Sequence, residues 1–300
     1  MKTNPLISVI VPIYNGAETL EESIRSILNQ SYRKFELILI NDGSTDNSLE
    51  KIKSFQDSRI IVVNQKNKGL AKTLNIGIKK SNGELIARQD QDDISLNNRF
   101  DMQVREFLIK KNLVLLGSNG IKINKNSEEI GKFKFPTKSN DLKFLLNFYN
   151  PFIHSSVMMK TKTVKLAGLY SELSSNQPPE DFELWNRMKN FGEIANLDTT
   201  LIKYRCADTS MSTVFSKQID LNYEKLVIGL LHGNFGIPKV HGAIMFNVFF
   251  RSKFKRSMRS RFYLFQLFVT KMTNHIMSEN YMSKHSLKFI IKNSIKILIK

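Results

Sequence analysis

The chain of 300 residues is 41% hydrophobic and 24% charged, which is ordinary usage for a globular protein and excludes wholesale disorder. It carries a net charge of +18 and one cysteine, Cys206, so an intramolecular disulfide and a cysteine-rich zinc site are both excluded. The apolar run near the start is short and contains Pro12, and no stretch reaches the ~18 apolar residues of a membrane span, so we expect neither a signal peptide nor a transmembrane helix.

Strand and helix patterns alternate through the first hundred residues. Runs of apolar and β-branched residues predict four strands, and the stretches between them have apolar residues at helical spacing. The predicted strands are Ile7–Val11, Phe35–Ile40, Ile60–Val63 and Glu84–Ala87. This alternation is typical of an α/β fold, in which a mostly parallel sheet is flanked by helices.

Beyond residue 100 the alternation is less regular. The elements expected there are a helix over Arg99–Asn112, a strand over Leu113–Leu116, a hairpin within 121–135, a helix over Asp181–Lys189 and a strand over Leu201–Arg205. After residue 215 the composition shifts, because residues 216–300 hold 15 Lys and Arg against 3 Asp and Glu, a net charge of +12. We therefore expect a globular domain over 1–215 and a basic helical extension over 216–300.

Polar clusters directly follow three of the predicted strands. In open parallel sheets ligands bind at the carboxyl ends of the strands, so we expect these clusters to face one crevice. They are Pro12-Ile13-Tyr14-Asn15, Asp42, and Asp90-Gln91-Asp92-Asp93. The first strand is followed neither by a dinucleotide-binding glycine fingerprint nor by a phosphate-binding P-loop, which argues against dehydrogenases and nucleoside triphosphatases.

The last of these clusters places three acids within four residues. Asp90, Asp92 and Asp93 repel one another unless a cation compensates their charge. Carboxylate oxygens bind Mg²⁺-type ions, which are shared with substrate phosphates, so the cluster predicts a site for Mn²⁺ or Mg²⁺. On an extended segment Asp90 and Asp92 would point to one side and Asp93 elsewhere. The alternative is an acidic turn or a helix N-cap.

Four motifs, in chain order, resemble the family 2 glycosyltransferases. They are Ile7–Asp46, Asn67-Lys68-Gly69 followed by Asn75-Ile76-Gly77, Ala87–Asp93, and Glu180–Trp185, and the resemblance spans about residues 5–212. It implies a GT-A fold, a nucleotide-diphospho-sugar donor (here a UDP-sugar) and inversion at the anomeric carbon.

The resemblance also implies roles for individual residues. Asp181 matches the catalytic base, and Asp90 and Asp92 match the pair that binds the metal and the nucleotide. The nucleotide would contact Pro12, Tyr14, Asn15, Asp42 and Asp90, whereas the donor sugar or the acceptor would contact Arg88, Asp93, His154, Glu180 and Trp185. Apart from the resemblance, Lys72 is a candidate phosphate contact because it lies on the early helix near the nucleotide side.

Several of these residues keep a second interpretation. Glu180 and Asp181 also suit the N-terminal cap of a helix, His154 equally suits a structural role, and Lys72 suits a solvated position. The segment after Arg205 resembles a Tyr-Arg-x-His pattern, but Ala207 stands at the histidine position. That puts in doubt a third metal ligand from this segment, for which Asp208 is the nearest substitute.

The basic extension combines cations with bulky apolar residues. Lys288, Lys292, Lys296 and Lys300 recur every four residues, and Phe246–Phe268 interleaves aromatics with Arg and Lys. Such helices bind anionic membrane surfaces. The alternative is a helical cap on the catalytic domain, and no nucleic-acid-binding motif is present.

The resemblance, together with these patterns, implies a metal-dependent, inverting glycosyltransferase that modifies a saccharide or lipid-linked acceptor in surface polysaccharide synthesis. We expect a cytoplasmic protein, peripheral at the inner membrane face if the extension binds membrane. Two rivals are a non-catalytic scaffold that binds nucleotide-sugars and a nucleotidyltransferase. Asp42, Asp90, Asp92 and Asp181 argue against the scaffold, and the absence of a glycine-rich basic loop after the first strand argues against the nucleotidyltransferase.

Overall fold

The computed structural model describes residues 4–172 and 180–206, together with residues 233, 269 and 270. Within these ranges the strands are β1 (Ile7–Ile13), β2 (Phe35–Asp42), β3 (Ile60–Gln65), β4 (Leu85–Arg88), β5 (Ile94–Ser95), β6 (Leu113–Ile123), β7 (Glu129–Phe133), β8 (Met158–Lys160) and β9 (Glu193–Arg205). The helices are α1 (Leu20–Leu28), α2 (Ser48–Ser54), α3 (Leu70–Lys80), α4 (Arg99–Ile109), α5 (Ser139–Leu145), α6 (Thr161–Leu166) and α7 (Glu180–Met188).

Some expectations concern residues outside the described ranges. These are the roles of Ala207 and Asp208 and, apart from residues 233, 269 and 270, the helical character of 216–300. Residues 139–150, which contain α5, belong to a second compact unit, distinct from the one that holds the sheet. None of the helices in the described part of the chain is long and apolar enough to cross a bilayer.

The described strands form one sheet in the order β3-β2-β1-β4-β8-β6-β9-β5, and β7 pairs with β6. The first four strands are parallel, as their alternation with helices predicted. β8 then pairs antiparallel with both β4 and β6, whereas β6 and β9 are parallel. The α/β prediction is confirmed, and the later strands add antiparallel pairs that the early alternation did not indicate.

The core lies on both faces of β1, β2 and β4, whereas β3, at the edge of the sheet, is partly exposed. Every residue of β1 is buried, as is expected for a parallel strand covered by helices on both sides. α1 contributes Leu20, Ile24 and Ile27 to this core. On α3, a Cβ atom at Gly77 would come within 2.6 Å of Ile10 Cγ2, so glycine allows the helix to lie close against the sheet.

Two strands are much longer than the sequence predicted. β6 continues from Leu116 to Ile123, and β9 begins at Glu193 instead of Leu201. The prediction failed because Gly117-Ser118-Asn119-Gly120 resembles a turn. In the structure these residues stay in the strand, and the pairing with β9 shifts register on both sides of Asn119.

The predicted hairpin joins β6 to β7. Ser127 lies in its turn with a φ of 64°, and Gly120 pairs with Phe133. The turn and the end of β9 both lie beside α1, because Arg205 on β9 bonds to the turn and to Glu22 of α1.

Candidate active site

The carboxyl ends of β1, β2 and β4 lie along one edge of the sheet. Ile13 at the end of β1 pairs with Asn41 near the end of β2, and Ile10 pairs with Arg88 at the end of β4. The polar clusters that follow these strands therefore meet at this edge.

Gln91 joins the segment after β1 to the segment after β4. The backbone N–H of Tyr14 donates to Gln91 Oε1 at 2.8 Å, and Gln91 Nε2 donates to the Tyr14 carbonyl at 3.0 Å. Tyr14 is 49% exposed, so it is accessible to a ligand. Pro12, by contrast, is buried within β1 opposite Ile40 and presents little surface to a ligand.

Asn15 joins the segments that follow β1 and β2. Its side-chain oxygen accepts a hydrogen bond from Thr45 N at 2.8 Å, and its backbone N–H donates to Ser44 Oγ at 3.0 Å. Asn15 has a φ of 50°, a left-handed conformation that asparagine tolerates better than most residues. These bonds fix the loop that presents Tyr14.

Asp42 is buried and connects β2 to the start of α3. Its carboxylate accepts hydrogen bonds from Lys68 N at 2.8 Å, Gly69 N at 3.0 Å and Gln65 Nε2 at 2.7 Å. A carboxylate in this position satisfies backbone donors at a helix N-terminus and interacts favourably with its dipole. Lys72 lies half-buried in the first turn of the same helix.

The three acids after β4 converge. Carboxylate oxygens of Asp90, Asp92 and Asp93 all lie within 4.8 Å of one another. The expectation that Asp93 points elsewhere is wrong, because the segment is a turn and not an extended strand: Asp93 N approaches the Asp90 carbonyl at 3.4 Å. We call residues 90–93 the acid loop.

The environment of the acid loop opposes negative charge. Burial, and then the charge of Asp90, raise the pKa of Asp92 to about 6. Burial, followed by the charges of Asp90 and Asp92, raises the pKa of Asp93 well above its usual value. Asp93 is 1% exposed, and its Oδ2 atom has no hydrogen-bond partner among the described residues. A divalent cation fits this donor set, because it would supply the missing positive charge and a partner for the orphaned oxygen.

Arg88 is buried beneath the acid loop and forms a two-point ion pair with Asp90. Ser155 Oγ also donates to Asp90 Oδ2 at 3.0 Å and accepts from Asp90 N at 3.0 Å. The sequence placed Arg88 against the donor sugar, but the side chain is 2% exposed and its charge is directed at Asp90. Ser155 was missed, since it lies 65 residues from its partner.

A second acidic group lies at the start of α7. His154 Nδ1 is 3.8 Å from Glu180 Oε1 and 3.9 Å from Asp181 Oδ2, so it faces both carboxylates without a direct hydrogen bond. Burial, and secondarily the charge of Asp181, raise the pKa of Glu180 to about 8. Burial, with the charge of Arg88, lowers the pKa of His154 well below its usual value, so the imidazole is neutral.

Trp185 forms the wall behind His154. The indole ring is fully buried and meets the His154 ring edge-to-face, with centroids 5.9 Å apart. It also packs against Phe152 and Tyr170. The prediction that Trp185 contacts the sugar or acceptor conflicts with this burial, because α7 turns its apolar face inward and carries the ring with it.

The known proteins that this chain resembles are glycosyltransferases. The Glycosyl transferase family 2 profile matches residues 8–164. The amylovoran biosynthesis glycosyltransferase AmsE of Erwinia amylovora is 31% identical over 231 residues, covering 75% of this chain and 84% of that protein. The Escherichia coli UDP-Glc:alpha-D-GlcNAc-diphosphoundecaprenol beta-1,3-glucosyltransferase WfgD is 30% identical over 241 residues, covering 74% of this chain and 85% of that protein.

Solved structures show the same fold. Residues 1–349 of TarS from S. aureus, in complex with UDP-GlcNAc, superpose with a TM-score of 0.63 at 18% identity, covering 97% of this chain and 90% of that one.

Proposed function

The chain belongs to glycosyl transferase family 2 and is a glycosyltransferase with a GT-A fold; on that premise we propose that it transfers a sugar from a UDP-sugar, with inversion, to a hydroxyl of a saccharide or lipid-linked acceptor in surface polysaccharide synthesis. The observation that carries this proposal is that buried Arg88 interacts with two acidic groups, the acid loop and the start of α7. Arg88 pairs with Asp90, and its charge also acts on Glu180.

The donor would bind along the carboxyl ends of β1 and β2. The exposed Tyr14 would stack against a base, and Asn15 holds its loop in place. Asp42 would contribute from the α3 cap, where its two oxygens keep further lone pairs for a nucleoside N–H or hydroxyl. Lys72, one turn into α3, would approach the phosphates. UDP as the nucleotide is supported by the UDP-Glc in the name of WfgD and by the UDP-GlcNAc in the TarS complex.

Mn²⁺ or Mg²⁺ would be held by Asp92 together with Asp90 and Asp93. When bound, the cation would supply positive charge that neutralises the diphosphate leaving group. Arg88 and Ser155 already bond to the Asp90 carboxylate. The oxygens with the most capacity left for a metal are therefore those of Asp92 and the unpartnered Oδ2 of Asp93.

Asp181 would take the proton of the attacking hydroxyl. Its side chain is 15% exposed, twice the 7% of Glu180, so it is the more accessible of the two carboxylates. The raised pKa of Glu180 favours its neutral form near pH 7, which spares Asp181 a second negative charge beside it.

The test is a donor screen with the purified full chain. The protein would be mixed with Mn²⁺ or Mg²⁺ and several nucleotide-sugars, and nucleotide-diphosphate release would be followed with and without saccharide acceptors. We expect release from a UDP-sugar that depends on metal and increases with an acceptor. Asp92→Asn should remove most of the metal-dependent nucleotide release. Asp57→Asn, which removes an acid paired with Arg59 before β3, should leave that release unchanged. Undiminished activity in excess chelator would contradict the metal part of the proposal.

A further inference from the structure

Arg205, the last residue of β9, is a buried arginine with an unusually complete set of partners. It is 4% exposed although the next residue, Cys206, is exposed. Its side chain and backbone N–H donate to six acceptors: Asp92 O, Asp93 Oδ1, Asn124 O, Lys125 O, Glu22 Oε2 and Ser127 Oγ.

Two of these bonds fall on the acid loop. Arg205 Nε donates to the Asp92 carbonyl at 2.9 Å, and the Arg205 backbone N–H donates to Asp93 Oδ1 at 2.7 Å. One bond fixes the main chain that carries Asp92, and the other orients the Asp93 carboxylate. The second oxygen of Asp93 is thereby left as the orphaned atom.

The remaining bonds anchor the guanidinium to elements outside the loop. Nη1 donates to the carbonyls of Asn124 and Lys125, each at 3.0 Å, in the turn between β6 and β7. Nη2 donates to Glu22 Oε2 on α1 at 2.7 Å and to Ser127 Oγ at 3.1 Å. The acid loop is therefore tied to α1 and to the hairpin through one side chain.

We propose that Arg205 positions the acid loop for its cation, as a residue that acts on the metal through Asp92 and Asp93 without ligating it. The metal itself rests on the proposed function. Asp92 and Asp93 repel each other, so without external support the loop would relax and separate the oxygens that a cation needs together. Groups that orient metal ligands in this way typically account for about 10–100-fold in metal affinity.

Lysine cannot replace this arrangement. Arginine presents its donors in a fixed planar fork, whereas the single ammonium of lysine cannot reach the Asp92 carbonyl, the hairpin carbonyls and Glu22 at once. Arg205→Lys keeps the positive charge and the backbone N–H, so it removes only the planar arrangement of guanidinium donors.

The experiment measures binding of Mn²⁺ alone to the full chain, by titration calorimetry or by the electron paramagnetic resonance signal of free Mn²⁺. We expect Arg205→Lys to raise the Kd for Mn²⁺ by about tenfold or more. Binding of UDP in the absence of metal should change less than binding of Mn²⁺, because the segment that carries Tyr14 is also held by the bonds of Asn15 to Ser44 and Thr45, which do not involve the acid loop. Arg59→Lys is the matched control, since Arg59, directly before β3, bonds to Asp57 and to the carbonyl of Leu28 at the end of α1.

The outcomes separate cleanly. An unchanged Kd in Arg205→Lys, or an equal rise in Arg59→Lys, overturns the positioning role. If wild-type protein binds no Mn²⁺, the metal in the proposed function fails first and the inference falls with it. Should Arg205→Lys fail to fold, Glu22→Ala provides a second route: it removes a half-exposed anchor of the guanidinium and should weaken Mn²⁺ binding several-fold while the thermal midpoint stays close to that of the wild type.

Discussion

His154 Nε2 lies 2.9 Å from the Tyr170 hydroxyl. Tyr170 is in turn clamped by Asn75 of α3, whose side chain donates to the Tyr170 carbonyl and accepts from its N–H, both at 2.9 Å. α3 starts at the Asp42 cap, so one helix connects the donor edge of the sheet to the histidine that faces Glu180 and Asp181.

Tyr170→Phe tests this connection. The variant removes one hydroxyl and leaves a buried nitrogen of His154 without its partner, so we expect the free energy of unfolding to fall by about 1–3 kcal/mol. We also expect kcat to fall with little change in the KM for the donor, because His154 faces the acids of α7. Urea unfolding and steady-state kinetics measure the two effects. Tyr32→Phe is the control, since the Tyr32 hydroxyl bonds to the Pro5 carbonyl before β1; equal kinetic losses in both variants would refute the connection.

Glu180→Gln should make the protein more stable at high pH. The pKa of Glu180 is raised from 4.5 to about 8 by burial and then by Asp181. A folded state that binds the proton more tightly than the unfolded chain is favoured when the proton is present, so this stability is complete below pH 4.5 and is lost as pH rises towards about 8. Glutamine keeps the neutral shape at every pH. Urea unfolding across this range should show that the free energy of unfolding of the variant increases relative to that of the wild type as pH rises. Parallel curves of this free energy against pH would count against the shifted pKa.

Asp181→Asn should separate chemistry from binding. Asparagine matches the size of aspartate but cannot accept the proton, so we expect kcat to drop by about 10²–10⁴-fold with donor binding nearly unchanged. Glu183→Gln is the control on the same helix, where Glu183 pairs with Arg187. A loss of activity that merely follows a loss of folded protein would assign Asp181 to the helix cap and place the base elsewhere.

The basic extension remains a prediction from composition, because residues 216–300 lie almost entirely outside the described residues. If its net charge of +12 meets an anionic surface, the full chain should float with anionic vesicles and detach as salt rises. Replacing Lys288, Lys292, Lys296 and Lys300 by Gln should weaken flotation and leave transfer to a small acceptor intact. Equal flotation with neutral and anionic vesicles would exclude the electrostatic part of this proposal.

The sequence predicted best where local pattern and fold agree. β1 to β4, and the clusters that follow three of them, are encoded by runs of apolar residues and the polar residues directly after them. It failed where bonds to distant residues decide: Ser155 helps to hold Arg88 in its inward position, and Arg205 helps to hold Asp93 beside its neighbours. The same is true of Trp185, whose burial depends on Phe152 and Tyr170.

The hydrogen bonds between Gln91 and Tyr14 limit which substitutions this part of the sequence tolerates. A Cβ atom at Gly16 would come within 2.4 Å of the Gln91 side chain, so any larger residue at position 16 displaces the amide that holds the loop after β1. We therefore expect a library that randomises position 16 to favour glycine as long as Gln91 is retained. A shorter residue at position 91 should relax that preference at the cost of the two hydrogen bonds to Tyr14.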